Sequence, residues 1–257
     1  MIDFDNMLWS FSRINSFNTC PYAWYLHYAE GKTDEGSAFS EIGIFMHEIL
    51  EKYIKGELSY FDLSLYYEEH FAEAVHHAFP PGRVDLRQKY YDDCLEYLNN
   101  IDLHLDNFDI LGVEKEINFK IDKYNLVGYI DLLLRSKETG KITILDHKSA
   151  NLKFKKNGDI SKTDLEHFQS FKRQLYLYSK AVIEEYGEEP EYLAWNLFRL
   201  GKLYQIPWTR EGYNEALEWA KETMDTITQE ELWLPENGAK HFCNNICGQR
   251  MICDYKE

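Results

Sequence analysis

Two aspartates and a lysine stand out in the sequence because together they could hold a divalent metal ion against a phosphodiester. Asp131 lies in the segment GYIDLLL, and Asp146 and Lys148 lie in ILDHKSA, one hairpin further along the chain. Since side chains two residues apart in a strand point to the same face, Asp146 and Lys148 are expected to project together while His147 points away. Such charges on an apolar strand cost free energy unless a ligand or partner compensates them. The alternative is a surface hairpin with ordinary charges.

Carboxylates are hard oxygen ligands of the kind that Mg²⁺ and Mn²⁺ prefer, so Asp131 and Asp146 are candidate metal ligands. A metal ion so placed polarises a phosphate group and lowers the pKa of a bound water, which can then attack in line. Lys148 could orient that water or neutralise the charge that develops on the phosphoryl oxygens. The pattern predicts metal-assisted phosphodiester hydrolysis.

The five cysteines suggest a second metal site. Cys243, Cys247 and Cys253 crowd the C-terminus, Cys20 lies just before a proline, and Cys94 lies on a predicted amphipathic helix where it reads as a core residue. Three thiols within eleven residues need a fourth ligand to close a tetrahedral or cubane site, and Cys20 is the natural candidate.

Zinc and an iron-sulfur cluster both fit four cysteines. Zinc sites favour two short C-x2-4-C knuckles, whereas here one cysteine lies more than two hundred residues before the other three. This arrangement favours a cluster that joins the two ends of the chain, with zinc as the less favoured occupant. Free buried cysteines are the remaining alternative, but the polar segment CNNICGQRMIC offers no apolar face to bury them.

Length, composition and charge limit the class of protein to which this chain can belong. A chain of 257 residues with 44% hydrophobic residues predicts a packed globule. No apolar run is long enough for a transmembrane helix, and the acidic N-terminus does not resemble a signal peptide, so we expect a cytoplasmic protein. The net charge of −16 argues against a protein that coats nucleic acid, although a local lysine cluster follows the Asp-x-Lys triplet. A solvated loop is the alternative for this cluster, which comprises Lys153, Lys155, Lys156 and Lys162.

The apolar spacing predicts a change of structure near residue 110. Helices are expected before it, including one capped by Ser12, one after Pro21 and one capped by Ser40. From Ile110 the apolar period becomes two, which predicts three strands. A helix from about Leu165 to Tyr186, two strands and a last helix follow. We predict an N-terminal helical region over 1–109, a core over 110–230 and a cysteine segment over 231–257 that forms one compact unit with 1–30.

Taken in order, these motifs resemble those of RecB-type nucleases in the PD-(D/E)XK superfamily. GIFMHEILEKY resembles the family helix with a metal-binding histidine, here His47. VGYIDLLL and ITILDHKSA resemble its GxxD and D-x-K motifs, and QLYLYSKAV resembles its QxxxY motif, here Gln174 and Tyr178. FSRINSFNTCPYAWYL with the cysteine trio resembles the iron-sulfur branch, which includes the AddB nuclease domain and CRISPR-associated RecB-like exonucleases. The spacing of Cys243 and Cys247 is C-x3-C, where the family usually has C-x2-C.

The resemblance implies an α/β fold: a restriction-endonuclease-like core with a central mixed β-sheet flanked by helices, an N-terminal helical region and a C-terminal cysteine cluster that closes onto the N-terminus. It implies a Mn²⁺ or Mg²⁺ site, with imidazole favouring Mn²⁺, whose ligands are His47, Asp131, Asp146 and the backbone carbonyl of His147. Glu114 is expected as an accessory acid, although Glu116 falls on the same strand face. The implied [4Fe-4S] ligands are Cys20, Cys243, Cys247 and Cys253.

The implied activity is that of a metal-dependent DNA exonuclease acting at DNA ends or on single strands. Its setting would be recombination, repair, phage DNA processing or CRISPR adaptation, with a helicase, annealing protein or integration complex as possible partners and no membrane partner. No P-loop motif is present in the sequence, so the chain is not expected to be a motor itself. It lacks the large additional domains of the AddB and RecB subunits, so the resemblance suggests a stand-alone nuclease of a phage or mobile element. The alternative is an assembly protein that uses a nuclease fold as a platform; intact Asp131, Asp146 and Lys148 favour the enzyme.

Overall fold

A mixed β-sheet forms the centre of the protein. The computed structural model describes residues 2–4, 6–236 and 240–255, and these ranges contain a six-stranded sheet in the order β1-β3-β4-β5-β6, with β2 also paired to β3. Pairing is parallel for β1 with β3 and for β4 with β5, and antiparallel elsewhere. The strands are β1 (Leu8–Trp9), β2 (Phe108–Ile121), β3 (Tyr124–Ser136), β4 (Ile142–Lys148), β5 (Tyr192–Leu197) and β6 (Lys202–Pro207).

The two longest strands form the hairpin that the alternating sequence predicts. β2 buries Ile117, Phe119 and Ile121 and exposes the residues between them, as expected of a strand with one polar face. β4 is buried along nearly its whole length, which suits a strand flanked by β3 and β5. The predicted strands are therefore confirmed, together with the fold class.

Eight α-helices in the described ranges flank the sheet: α1 (Phe11–Thr19), α2 (Pro21–Trp24), α3 (Ala38–Ile54), α4 (Leu63–Ala74), α5 (Leu86–Asn99), α6 (Leu165–Tyr186), α7 (Arg210–Gln229) and α8 (Lys240–Asn245). The bounds of α6 agree with the prediction. None of these helices combines the length and apolar character needed to cross a bilayer.

Two predicted helix caps are wrong. The side chain of Ser10, not Ser12, accepts a hydrogen bond from the first turn of α1. In α3, Ser37 is the cap, and Ser40 is its partner in a reciprocal capping box. The sequence offers two serines close together at each helix start, and the cap is the one whose backbone is still extended.

Hydrophobic clusters cover both faces of the sheet. Helices α1, α6 and α7 pack on one cluster around Trp9, Leu133 and Trp195. Helices α3, α4 and α5 form another around Met46, Tyr67 and the buried Cys94, which is a core residue as predicted. The functional strands β3 and β4 therefore lie between two helical layers that fix their positions.

Residues from both ends of the chain meet. β1 pairs with Asn125 and Leu126 of β3, so the N-terminal region is not helical throughout; two residues are too few to show a periodicity in sequence. The C-terminal segment contacts the loop before α3, where Glu35 N–H donates to the Gly248 carbonyl at 2.7 Å. Arg250 donates to the carbonyls of Glu35 and Gly36. Positions 237–239 and 256–257 of the predicted cysteine segment lie outside the described residues.

Candidate active site

Asp131 and Asp146 form a buried pair of carboxylates. In the register that pairs Leu132 with Leu145, Asp131 falls opposite Asp146 on the neighbouring strand. Only 7% of Asp131 and 3% of Asp146 are exposed. Burial, followed by the charge of Asp146, raises the pKa of Asp131 to about 7. A cation bound between these carboxylates would relieve both effects, so the pair fits a divalent ion.

Lys148 lies against Asp146, as the two-residue spacing predicts. Its Nζ is 2.8 Å from Asp146 Oδ2 and 3.0 Å from Gln174 Oε1 on α6. Gln174 in turn donates to the Tyr178 hydroxyl at 3.4 Å, and these two residues are one helical turn apart. The QxxxY pair therefore holds the lysine that neutralises the carboxylates.

His47 approaches the pair from α3. Its Nδ1 is 3.6 Å from Asp131 Oδ2 and 3.7 Å from Glu114 Oε1, and ligand atoms of these three residues lie within 4.8 Å of one another. Burial alone would lower the pKa of His47, but the Glu114 carboxylate and the charges of Asp131 and Asp146 outweigh it, so the pKa is raised. The three side chains offer the mixed nitrogen and oxygen ligands that transition-metal ions accept.

The backbone of His147 also contacts Asp131 and His47. The His147 N–H donates to Asp131 Oδ2 at 2.6 Å, and the His147 carbonyl oxygen lies 2.9 Å from His47 Nε2. The His147 ring points away into the core, where its Nδ1 is 2.9 Å from the Asn196 amide. As predicted, the His147 side chain points away from the strand face that Asp146 and Lys148 share.

Glu114 reaches the site because its backbone adopts an unusual conformation. It falls opposite Asp131 in the β2–β3 register and has a φ of +47°, in the left-handed region that non-glycine residues rarely adopt. Glu116 lies away from the site, with its carboxylate bonded to Tyr129 and Asn118. Simple alternation puts both glutamates on one face, so sequence alone could not separate them. A sparsely populated φ beside buried carboxylates marks a strained position of the kind found at functional sites.

Residues 8–254 match the family described as the PD-(D/E)XK nuclease superfamily. The chain belongs to this superfamily. The predicted membership in this superfamily is thereby confirmed.

Two kinds of relative resemble this PD-(D/E)XK protein. A subunit of an ATP-dependent helicase/deoxyribonuclease from Clostridium botulinum is 24% identical over 213 residues in strain Loch Maree and 25% over 214 residues in strain Langeland. The match covers 70% of this chain but only 18% of the relative, so the chain spans about a fifth of its length. A solved structure of a candidate exonuclease from Eubacterium rectale has a TM-score of 0.52 at 15% identity, covering 86% of this chain and 80% of that one, and shares the fold.

The glycine of the PD-(D/E)XK protein's GxxD segment has a packing role that its sequence did not reveal. A Cβ atom on Gly128 would lie 2.5 Å from Cε1 and 2.9 Å from Cζ of the Tyr178 ring. Gly128 thus allows Tyr178 to pack directly on β3, three residues before Asp131. The GxxD and QxxxY motifs are in contact, which only the three-dimensional structure could show.

Replacing Gly128 with alanine is expected to reduce the free energy of unfolding by about 1–3 kcal/mol, because the buried Tyr178 ring must move. The measurement is equilibrium urea unfolding. Gly43→Ala is the matched control: Gly43 lies inside α3 with no atom near its added methyl group, so this variant should gain up to about 1 kcal/mol in helix propensity. Equal changes in the two variants would refute the packing role.

The four predicted cluster ligands of this PD-(D/E)XK protein gather at one cavity. Cys20 is the N-cap of α2, Cys243 lies on α8, and Cys247 and Cys253 follow it. All four are free of disulfide bonds and line a cavity of about 430 Å³. Burial raises the pKa of the Cys247 thiol, and the other three cysteines raise it further. Four unpaired thiols around one buried space form a donor set that fits a thiolate-ligated metal or cluster.

A larger cavity of about 610 Å³ connects the two sites of the PD-(D/E)XK protein. Its lining includes Asp131 and Lys148 from the active site and Cys20, Cys247 and Gln249 from the region of the cysteines. Residues near both ends of the chain therefore form one wall of the space in front of the hairpin that carries Asp131 and Lys148.

Proposed function

We propose that this protein is a metal-dependent DNA exonuclease that hydrolyses phosphodiester bonds at DNA ends or on single strands. The observation that carries this proposal is the convergence of His47, Glu114 and Asp131 on one point beside the buried Asp146 and Lys148. Two buried carboxylates and an imidazole could hold a divalent ion, and a lysine beside them could neutralise charge on a phosphoryl group.

The proposed metal ligands are His47, Asp131, Asp146 and the His147 carbonyl, with Glu114 as an accessory acid. A bound Mg²⁺ or Mn²⁺ would supply Lewis acidity toward the phosphate and a lowered pKa for its bound water. The mixed imidazole and carboxylate donors favour Mn²⁺. The raised pKa of Asp131 fits this assignment, because a bound cation would favour the ionised form of this buried carboxylate.

The remaining residues, Lys148, Gln174 and Tyr178, are assigned to position the substrate and the positive charge of the lysine. Lys148 Nζ already donates to Asp146 and Gln174, so it is held where negative charge would develop on the phosphoryl oxygens. The Tyr178 hydroxyl anchors Gln174, and the Tyr178 ring packs against Gly128. We assign Gln174 and Tyr178 as positioning residues that act through Lys148.

We further propose that Cys20, Cys243, Cys247 and Cys253 ligate a [4Fe-4S] cluster, with zinc as the alternative occupant. The support is the gathering of four free thiols from the two chain ends at one cavity. The separation of Cys20 from the other three by more than two hundred residues is unlike a zinc knuckle. The cluster would tie the C-terminal segment to the start of α2 through Cys20, in addition to the bond between Glu35, in the loop before α3, and Gly248.

A helicase is the partner that the relatives suggest, because the matched segment belongs to a subunit of a helicase/deoxyribonuclease. We propose that this chain acts on DNA with or beside such a motor, in recombination, repair or the processing of phage or CRISPR DNA. A platform without catalysis is the less favoured role, since it would not require a buried carboxylate such as Asp131, whose pKa is raised by burial and by the charge of Asp146.

The test is an end-labelled assay on single- and double-stranded DNA with Mg²⁺, Mn²⁺ or no added metal. Mononucleotide or short-oligonucleotide release from one labelled end, dependent on the metal, is the expected result. DNA binding without cleavage under every metal condition would instead establish the platform role.

A further inference from the structure

A lysine-rich hairpin leads away from the catalytic strand. Directly after Asp146, residues 147–163 contain five lysines and a single acidic residue, Asp159, in a chain whose 44 acidic residues outnumber its 28 lysines and arginines. Among these lysines, Lys153, Lys155 and Lys156 are exposed. We infer that this hairpin binds the phosphate backbone of the DNA strand that enters the active site, an inference that rests on the proposed function.

The hairpin is a built structure and not a loose loop. Its two arms are joined by hydrogen bonds from Lys155 N–H to Asp159 O and from Ser161 N–H to Lys153 O, each at 2.8 Å. Leu152 and Ile160 are buried in the main core. Lysines on a scaffold fixed in this way lose less conformational entropy on binding than lysines on a flexible loop.

The three exposed lysines form no ion pair within the described part of the chain. Most lysines elsewhere in the described ranges pair with carboxylates, whereas Lys153, Lys155 and Lys156 do not. Lys202 of β6 extends the same basic surface, with its Nζ 3.3 Å from the centre of the Phe154 ring. Unpaired positive charge on a strongly acidic protein is available to a polyanion.

Helix α6 joins the hairpin to the active site. The Asp164 carboxylate, just before α6, accepts from the Lys153 N–H at 2.7 Å, and Gln174 on the same helix contacts Lys148. Ten residues of helix separate these contacts, which is about 15 Å at 1.5 Å per residue. Between them, Phe171 lies 5.3 Å from Lys148 Nζ. A DNA strand with about 3.4 Å per nucleotide would cross this distance in about four nucleotides.

The test compares DNA affinity at several salt concentrations, in an Asp146→Asn background that prevents cleavage. In the variant Lys153→Gln/Lys155→Gln/Lys156→Gln, we expect the slope of log K against log salt for single strands to fall by about 2, with affinity about 100-fold lower at 0.1 M salt. The matched control, Lys120→Gln/Lys123→Gln/Lys137→Gln, removes three exposed lysines from the other sheet turns and should keep the parental slope.

Equal slopes in the two triple variants would overturn the hairpin assignment and leave the nuclease assignment intact. Conversely, the expected slope loss in the hairpin variant, together with no DNA cleavage by the unsubstituted protein with any metal, would refute the nuclease assignment and retain the hairpin assignment.

An independent cluster lies on the other helical layer, where Glu41, His76 and His77 meet. Glu41 Oε1 is 2.7 Å from His76 Nδ1 and 2.6 Å from His77 Nδ1, and the ligand atoms of the three residues lie within 4.8 Å of one another. The Glu41 side chain is only 11% exposed, and its ion-pair partners in the described chain are these two imidazoles. The geometry points to a second metal site that takes Zn²⁺, since two imidazoles and a carboxylate are a zinc donor set.

The location gives this site a structural consequence. Glu41 lies in the first turn of α3, the helix that carries His47, while His76 and His77 follow the end of α4. The His76 side chain is 69% exposed, which leaves room for water as the fourth ligand. Zinc here would tie the start of α3 to the end of α4.

Equilibrium dialysis against Zn²⁺ with atomic absorption counting tests the site. His76→Asn should bind one zinc fewer per chain than the parent. His104→Asn should bind as many as the parent, because exposed His104 pairs with a single carboxylate, that of Asp102. All three proteins contain the same cysteines, so any zinc bound there is equal and does not affect the comparison. Equal zinc content in His76→Asn and the parent would overturn the proposal.

Discussion

Replacing Asp146 with asparagine is expected to reduce DNA hydrolysis by about 1,000-fold or more without loss of stability. The substitution keeps the shape of the side chain but removes a charge from the proposed metal site and from the partner of Lys148. In the metal-free protein it also removes the repulsion that helps to raise the pKa of Asp131. The free energy of unfolding should therefore stay within about 1 kcal/mol of the parent or increase.

A large loss of activity at parental stability distinguishes a catalytic role from a structural one. If Asp146 served only to hold Lys148, the variant would keep a rate near the parental value, because the asparagine amide oxygen can still accept a hydrogen bond from the lysine. The measurements are initial rates on labelled DNA with Mn²⁺ and urea unfolding without metal. Asp109→Asn, which removes an exposed aspartate at the start of β2, is the control and should retain the parental rate. Parental activity in Asp146→Asn would refute the assignment of Asp146 and the β3–β4 hairpin as the proposed metal site.

Lys148→Met separates the lysine from the metal ligands. It should lower kcat by about 100-fold or more while metal affinity is retained, since the carboxylates and His47 remain. Unlike Asp146→Asn, it leaves Asp146 without its nearest counter-charge and is expected to lower stability in the absence of metal.

Features that follow from the helical or strand period of the residues were predictable from the sequence. The bounds of α6, Leu165–Tyr186, follow from an apolar stripe that a helix must bury, and the shared face of Asp146 and Lys148 follows from the period of a strand. The resemblance in motif order then brought His47 and Gln174 to the same site, although they lie 101 and 26 residues from Lys148. These features are encoded locally or in motif order, so one sequence suffices to find them.

Features that depend on contacts between distant elements were not predictable. Glu114 and Glu116 are equivalent by alternation, and only the left-handed backbone at Glu114 aims that side chain at His47. The contact between Gly128 and Tyr178 joins a strand to a helix fifty residues later. The basic hairpin was visible as a lysine cluster, but its rigidity and its link to α6 through Asp164 required the tertiary structure.

Removing one cluster ligand is expected to have the largest effect on stability. If the cysteines hold an iron-sulfur cluster, the anaerobically purified protein should be brown and contain about four iron atoms per chain, whereas a d¹⁰ zinc site is colourless. Cys20→Ser should lose the colour and the iron. Because Cys20 closes a loop of more than two hundred residues with the C-terminal cysteines, the loss of the link should lower the free energy of unfolding by about 5 kcal/mol in a chain-entropy model.

The same variant should impair DNA binding more than chemistry. Cys20 and Cys247 line the cavity that Asp131 and Lys148 also line, while the proposed metal ligands lie on β3, β4 and α3. A loosened C-terminal segment would widen this cavity, so KM for DNA should rise more than kcat falls.

Cys94→Ala is the control for these measurements. Cys94 is fully buried in the helical layer, away from the other cysteines, so its variant should keep the parental iron content and colour. Stoichiometric zinc without iron in the anaerobic parent would overturn the cluster and leave a zinc link between the same four thiols. Parental iron content in Cys20→Ser would remove Cys20 from the ligand set, and the proposed closure of the two chain ends through that thiol would then be wrong.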